Sequence, residues 1–456
     1  MFGTLGLTNR PVGGELNRRV LAAIASLTLL VVPVVAVQAS AGAATGGVTV
    51  TNYTDPTIDT PGAITTGPDG SLWFTNPGNG SIGRIATSGI VSNFTDSTID
   101  GPTGITTGPD GALWFTDSGN SSIGRITTSG IVSNFTDPTI DFPFGITAGP
   151  DGALWFTNVL GESIERITTN GIVSKFTDPT LARPTSITVG ADGALWFTNS
   201  GLTASGTERP SIGRITTDGS ITTYPTTDFP LDITAGPDGA LWFTMSGAIG
   251  RIGTDGTITY YDTGVFNLQG IAAGPDGGLW FTSFDGAIGR ISTNGVFTYY
   301  KDTSMRGPLG ITSGPDGALW FTNQSSNSIG RITTPPPTVV PFGGAVTEGA
   351  AGTTSQLPIT VTLSAPSTQT VTAQWKTVFI NFASNVQAVP GTDYVASSGT
   401  VTFPPGATSE TVPITVINHD LGMPYKLLVV SFHDPTNSVM GGYGGGAFGF
   451  LINNTG

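Results

Sequence analysis

The chain has no cysteine, only two histidines, and few charges for its length: 17 Lys and Arg and 31 Asp and Glu in 456 residues. The absence of cysteine excludes disulfides, a thiolate nucleophile, thiolate metal sites and a lipid-modified cysteine anchor. Stability must therefore come from packing and β-ladders. Basic residues are scarce and the formal net charge is −14. That argues against nucleic acid as a partner, because phosphate binding needs a basic surface. The histidines are His419 and His433, so the first 400 residues cannot use the side chain most often chosen for general-base work near neutral pH.

Only one long apolar run exists, residues 20–37, and it follows Arg10, Arg18 and Arg19. Small residues come next, with A-x-A-type sites at 39–41 and 41–43. This is the pattern of a secretory signal over residues 1–43, removed on export. The competing reading is an uncleaved anchor, since 18 residues just span a bilayer. The expected mature protein is soluble, secreted or cell-surface, with no membrane partner after signal removal.

Glycine (66) and proline (32) are abundant, and they punctuate a repeat. The run Gly-Pro-Asp-Gly-Ala-Leu-Trp-Phe-Thr at 149–157 recurs with its Trp at Trp73, Trp114, Trp155, Trp196, Trp242, Trp280 and Trp320. Successive differences are 41, 41, 41, 46, 38 and 40 residues. A period near 40, built of strand formers and Gly/Asp turns, indicates β-propeller blades. Each unit reads as four strands; in the third copy these are 145–148, 153–158, 163–168 and 172–177. The seventh copy lacks a fourth strand before Pro335, Pro336 and Pro337. Residues 48–54 match the fourth strand of other units, so they are expected to close the ring. Recurring Trp is expected as inter-blade core rather than ligand platform. The Arg of each I-G-R-I segment (I-E-R-I at Arg166) is expected to pair with a turn Asp or with strand carbonyls.

A Pro-rich linker, 335–341, precedes a region of alternating strands, 338–456, which reads as a β-sandwich of roughly seven strands. The fold class is all-β: a seven-bladed β-propeller over 46–334, then an immunoglobulin-like β-sandwich.

The propeller pattern G-x-D-G-x-L-W-F-T followed by I-G-R-I resembles the virginiamycin B lyase (streptogramin lyase) family. The resemblance implies, for active members, a Mg site and a His base that open a cyclic depsipeptide by elimination. This chain departs from it: no propeller residue is His, and the position after W-F-T, usually Glu in the family, holds Asn76, Asp117, Asn158, Asn199, Met245, Ser283 and Asn323. The C-terminal region resembles a Calx-β domain through 347–349, 391–394 and 398–406. That resemblance implies Ca bound by early and late acids, of which Glu348, Asp393 and Asp420 carry over. Three acids make at most a weak site.

Loops after W-F-T and the crossovers between blades share one propeller face, and they vary while the G-P-D-G turns do not. Function belongs on variable loops of a rigid scaffold. The candidate ligand-binding residues on that face are Asp59, Asp100, Asp117, Asp141, Arg183, Asp232 and Arg306, with Asp100, Asp117 and Asp141 grouped for a cation or a sugar- or peptide-like ligand. The leading functional expectation is a secreted binding or surface-interaction protein without catalysis, its partner an extracellular protein or glycan. The alternatives are a metal-dependent lyase or hydrolase at the propeller mouth, and a structural envelope component.

Overall fold

The computed structural model describes residues 48–201, 209–367, 369–379, 386–441 and 445–453. Residues 48–333 form seven four-stranded antiparallel sheets. Blade three is typical: Pro143–Ala148, Leu154–Asn158, Ser163–Ile167 and Val173–Phe176 pair in sequence order. The first strand of each blade lies against the first strands of both neighbours, and the seventh meets the first, so seven inner strands surround one axis. Blade seven is a composite. Val50–Thr54 pairs with Ser328–Thr333, supplying the outer strand from the other end of the chain.

Two repeated devices explain the sequence period. In the first, the Trp indole N–H donates to the turn Asp at 2.9–3.0 Å, and the Arg Nε donates to the other oxygen of the same Asp at 2.5–2.7 Å. Each Trp also stacks on an aromatic of its blade's outer strand at 5.2–5.6 Å, Tyr53 covering Trp320 in the composite blade. Its opposite side enters the core of the next blade; Trp73, for example, packs with Leu113 and Phe115. The Trp stripe is therefore inter-blade core, and the Arg partners are the turn acids.

The second device is the Thr that follows each Leu-Trp-Phe. Its hydroxyl accepts an N–H from its own blade's inner strand at 2.8–3.1 Å. It donates to a carbonyl on the next blade's inner strand at 2.5–3.1 Å. All seven do this, and Thr322 bonding Gly62 completes the circle. Thr157→Val keeps the shape but orphans the Gly145 amide and the Thr185 carbonyl. The expected cost is about 2 kcal/mol, read from denaturant unfolding. A loss below about 0.5 kcal/mol would mean that these bonds do not join the blades.

At the I-G-R-I glycine a side chain would strike the neighbouring Phe; an added Cβ at Gly124 would sit 2.0 Å from Phe115. Blade three carries Glu165 there instead, fully buried, accepting bonds from Asn158 and Ser163.

The C-terminal region is a two-sheet sandwich with nine strands among the described residues, against the roughly seven expected. One sheet orders Ser409–Ile417, Thr354–Leu363, Thr338–Pro341 and Val439–Met440. The other orders Gly344–Thr347, Gly446–Ile452, Tyr425–Thr436, Val371–Val378 and Ser398–Phe403. Thr338–Pro341 falls in the stretch read as linker but pairs with Thr354–Leu363, so the sandwich begins there. The expected signal segment, residues 1–43, lies outside the described residues, among which no helix is long and apolar enough to cross a membrane.

Candidate functional site

The crossovers enter each blade through a tight bend just before its inner strand. The bend residue is left-handed in six blades: Thr60, Gly101, Phe142, Arg183, Asn267 and Gly307, with φ from 46° to 68°. Non-glycine side chains hold this conformation at a cost, so the surrounding contacts must fix it. Those contacts come from the residue after W-F-T. Asn158 Oδ1 accepts the Asp141 amide at 2.6 Å while its Nδ2 donates to Thr139 O at 2.8 Å. Asn76 and Asn199 repeat the arrangement on Asp59 and Ala182. Ser283 bonds Phe266 O, and Met245 is simply buried. The position where the family resemblance leads one to expect an acid thus anchors the crossover in five blades, Asp117 included, while Asn323 instead donates to Asn52 of the closing strand.

Asp117 shares that post. It is fully buried, and both carboxylate oxygens take the Asp100 amide, at 2.9 and 3.0 Å. Burial is the main cause that pushes its pKa up to about 7, aided by the Asp100 charge, over the opposing hydrogen bonds from the Asp100 amide and Asn120. It therefore anchors a loop rather than presenting a carboxylate to the mouth. Asp232 also needs correction. It lies not in a crossover but beside the inner strand Ile233–Ala235, at the register of Gly104 and Gly145. Its oxygens accept the Ser186 hydroxyl of blade four at 2.5 Å and the Ile271 amide of blade six at 2.9 Å. It keeps some solvent contact, yet burial among these strands raises its pKa. The residue equivalent to Asp141 in blade five is Asp228, which sequence reading missed. Counting back from the repeat Trp finds it, because Asp228 precedes Trp242 by 14 residues as Asp141 precedes Trp155.

What remains at the rim is an arc. Arg306, Asp59, Asp100 and Asp141 occupy one register on blades seven, one, two and three, and Arg183 follows one residue later on blade four. Asp100, Asp141 and Arg306 are exposed; Asp59 and Arg183 are half-buried. Nearby, a hollow of about 400 Å³ between blades three and four is lined by Glu162 and Asp178 together with Gly161, Thr177, Pro179 and Leu181.

The residues present do not fit the family's metal. The buried propeller acids Asp117, Glu165 and Asp276 and the half-buried Asp232 stand in four different blades, each bonded to local donors. Among the described residues no three His, Asp or Glu side chains converge as a metal cluster. The C-terminal candidates do not form an oxygen cage either. Asp393 is buried against Lys426, while Asp420 is exposed and accepts from Gly422 N–H and Asn453.

The comparisons agree with the scaffold. The model of the virginiamycin B lyase family matches residues 48–262 and 201–338. A streptogramin B lyase structure is 34% identical with a TM-score of 0.58, covering 63% of this chain and 97% of that one. A catalytically inactive His-to-Ala variant of virginiamycin B lyase from Staphylococcus aureus, solved with quinupristin, is 33% identical at the same TM-score, covering 63% and 99%. A comparison with the curated proteins returned no match. With seven blades built on the same repeat, and a family match spanning more than half its length, the chain belongs to the virginiamycin B lyase family.

Proposed function

We propose that this is an exported ligand-binding propeller that has kept the family's scaffold but lost its turnover chemistry. The observation that carries this reading is the absence of any histidine between residues 48 and 334. In the relative, replacing one histidine leaves an inactive protein that was still solved with quinupristin. Binding and turnover thus separate on this scaffold. The rim arc favours a peptide-like ligand carrying positive charge, contacted by Asp59, Asp100 and Asp141 and flanked by Arg183 and Arg306. Rim charges of this kind act on encounter and specificity more than on fold.

Quinupristin is the probe. Incubated with protein in stoichiometric amounts and followed by chromatography, it is expected to remain closed while calorimetry registers binding. Asp100→Asn combined with Asp141→Asn is expected to weaken that binding about tenfold, or about 1.4 kcal/mol, without moving the melting midpoint. Ring opening abolished by a chelator would favour the metal-dependent lyase instead. Unchanged affinity in the double variant would remove the acidic arc from the binding site.

A further inference from the structure

The C-terminal sandwich holds a buried charge cluster that its sequence pattern does not announce. Asp393 is fully buried, and its two oxygens receive the Lys426 ammonium at 2.8 and 2.9 Å. The Val389 amide donates to Oδ2 at 2.6 Å, and His419 Nε2 lies 2.6 Å from Oδ1. Lys426 belongs to Tyr425–Thr436, a strand whose even-numbered residues 428, 430 and 432 face the core, so its side chain also points inward and is only 13% exposed. Glu348 is a second buried acid, 2% exposed; its nearest donor is the His419 backbone amide, which falls short of full hydrogen-bond geometry. Burial pushes its pKa up, against the pull of the neighbouring His419 and Lys426.

The pocket therefore carries two carboxyl groups and one fixed ammonium. Calcium, which the Calx-β resemblance implies here, takes six to eight oxygens, several of them carboxylate. Both oxygens of Asp393 are already committed to Lys426, and Asp420 is turned to its own loop. A lysine ammonium is a compact point charge on a flexible stem, suited to stand where a small cation would.

We infer that Lys426 is a covalently tethered counter-ion that replaces a divalent metal in this pocket, so that the sandwich holds its closed form without calcium. Asp393 binds the ammonium instead of a metal, and the strand Tyr425–Thr436 is thereby tied to the loop at 386–396. The arrangement cannot be emptied by chelation, which suits a domain kept outside the cell at uncontrolled calcium levels.

The test is hydrogen exchange on the full chain, read over 386–396 and 420–433. Exchange in the wild-type protein is expected to be the same in millimolar calcium and in chelator. Lys426→Met leaves two buried carboxyls with only the His419 imidazole beside them, and exchange there should speed up about tenfold or more. Lys426→Met combined with Asp393→Asn returns the pocket to its native net charge and should slow exchange back towards wild type. Calcium slowing exchange in the wild-type protein would overturn the inference. So would a double variant as open as Lys426→Met, since the loss would then be packing rather than charge.

Discussion

A chain shortened to begin at Pro56 is expected to lose about 10 °C or more in the melting midpoint of its propeller. The missing strand pairs with Ser328–Thr333 from Val50 opposite Ile332 to Thr54 opposite Ser328. Its Tyr53 stacks on Trp320 at 5.4 Å, Val48 and Val50 pack against the core between blades six and seven, and Asn52 accepts from Asn323. A strand's hydrogen bonds contribute about 0.5–1.5 kcal/mol each, and an aromatic stack adds about as much again. Several kcal/mol are at stake, at about 2 °C or more per kcal/mol for a domain of this size. The loss also bares Ser328–Thr333 as an edge, which offers a template to other chains. Size-exclusion chromatography should therefore show association alongside the lower midpoint. An unchanged midpoint would mean that the ring does not depend on this strand. Tyr53→Ala, with the backbone pairing intact, should reproduce only a minor part of the fall.

How much of this was legible in the sequence depends on where each partner sits. The Trp–Asp–Arg clamp lies within one repeat, Asp69 four residues before Trp73 and fifteen before Arg84, so period and charge expose it. The Thr ring is different. Thr157 reaches a carbonyl 28 residues ahead on another blade, and nothing local distinguishes that hydroxyl from a strand former chosen for its β-branch. The period numbers the residue after W-F-T correctly, but the ligand-facing role expected of it fails. Period locates a position on a face without saying whether its side chain faces solvent, and Asn76, Asp117 and Asn158 are all buried. Asp228, by contrast, was legible from the period, since it precedes Trp242 by 14 residues just as Asp141 precedes Trp155. In the sandwich, Asp393 and Lys426 are 33 residues apart, and it takes the bridge of Gln387 to Leu427 to bring that loop beside the strand.

Asp117→Asn is expected to stabilise the propeller above neutral pH and to do nothing near pH 4. Four sister positions already hold Asn: 76, 158, 199 and 323. Blade one shows that the substitution fits. Asn76 and Asn79 both donate to Thr57 O there, and the Asp117→Asn amide would join Asn120 on Thr98 O in the same way. In the native chain burial raises the Asp117 pKa from 3.8 to about 7. The folded state therefore binds a proton that the unfolded state has already released between those values. Stability then falls as pH rises from about 4 to about 7, and the deficit persists above that. A shift of this size corresponds to about 4 kcal/mol at most. Unfolding free energies of the two proteins should coincide near pH 4 and diverge by about 2–4 kcal/mol at pH 8, with the variant higher. The turn aspartates of six clamps behave oppositely. Burial would raise each pKa, but the Trp and Arg donors outweigh it and lower them, so their contribution is lost on acidification. Both proteins share that background, and it cancels in the difference. Parallel curves across pH 4 to 8 would show that Asp117 stays ionised in the fold, and that the Asp100 amide and Asn120 compensate a buried charge completely.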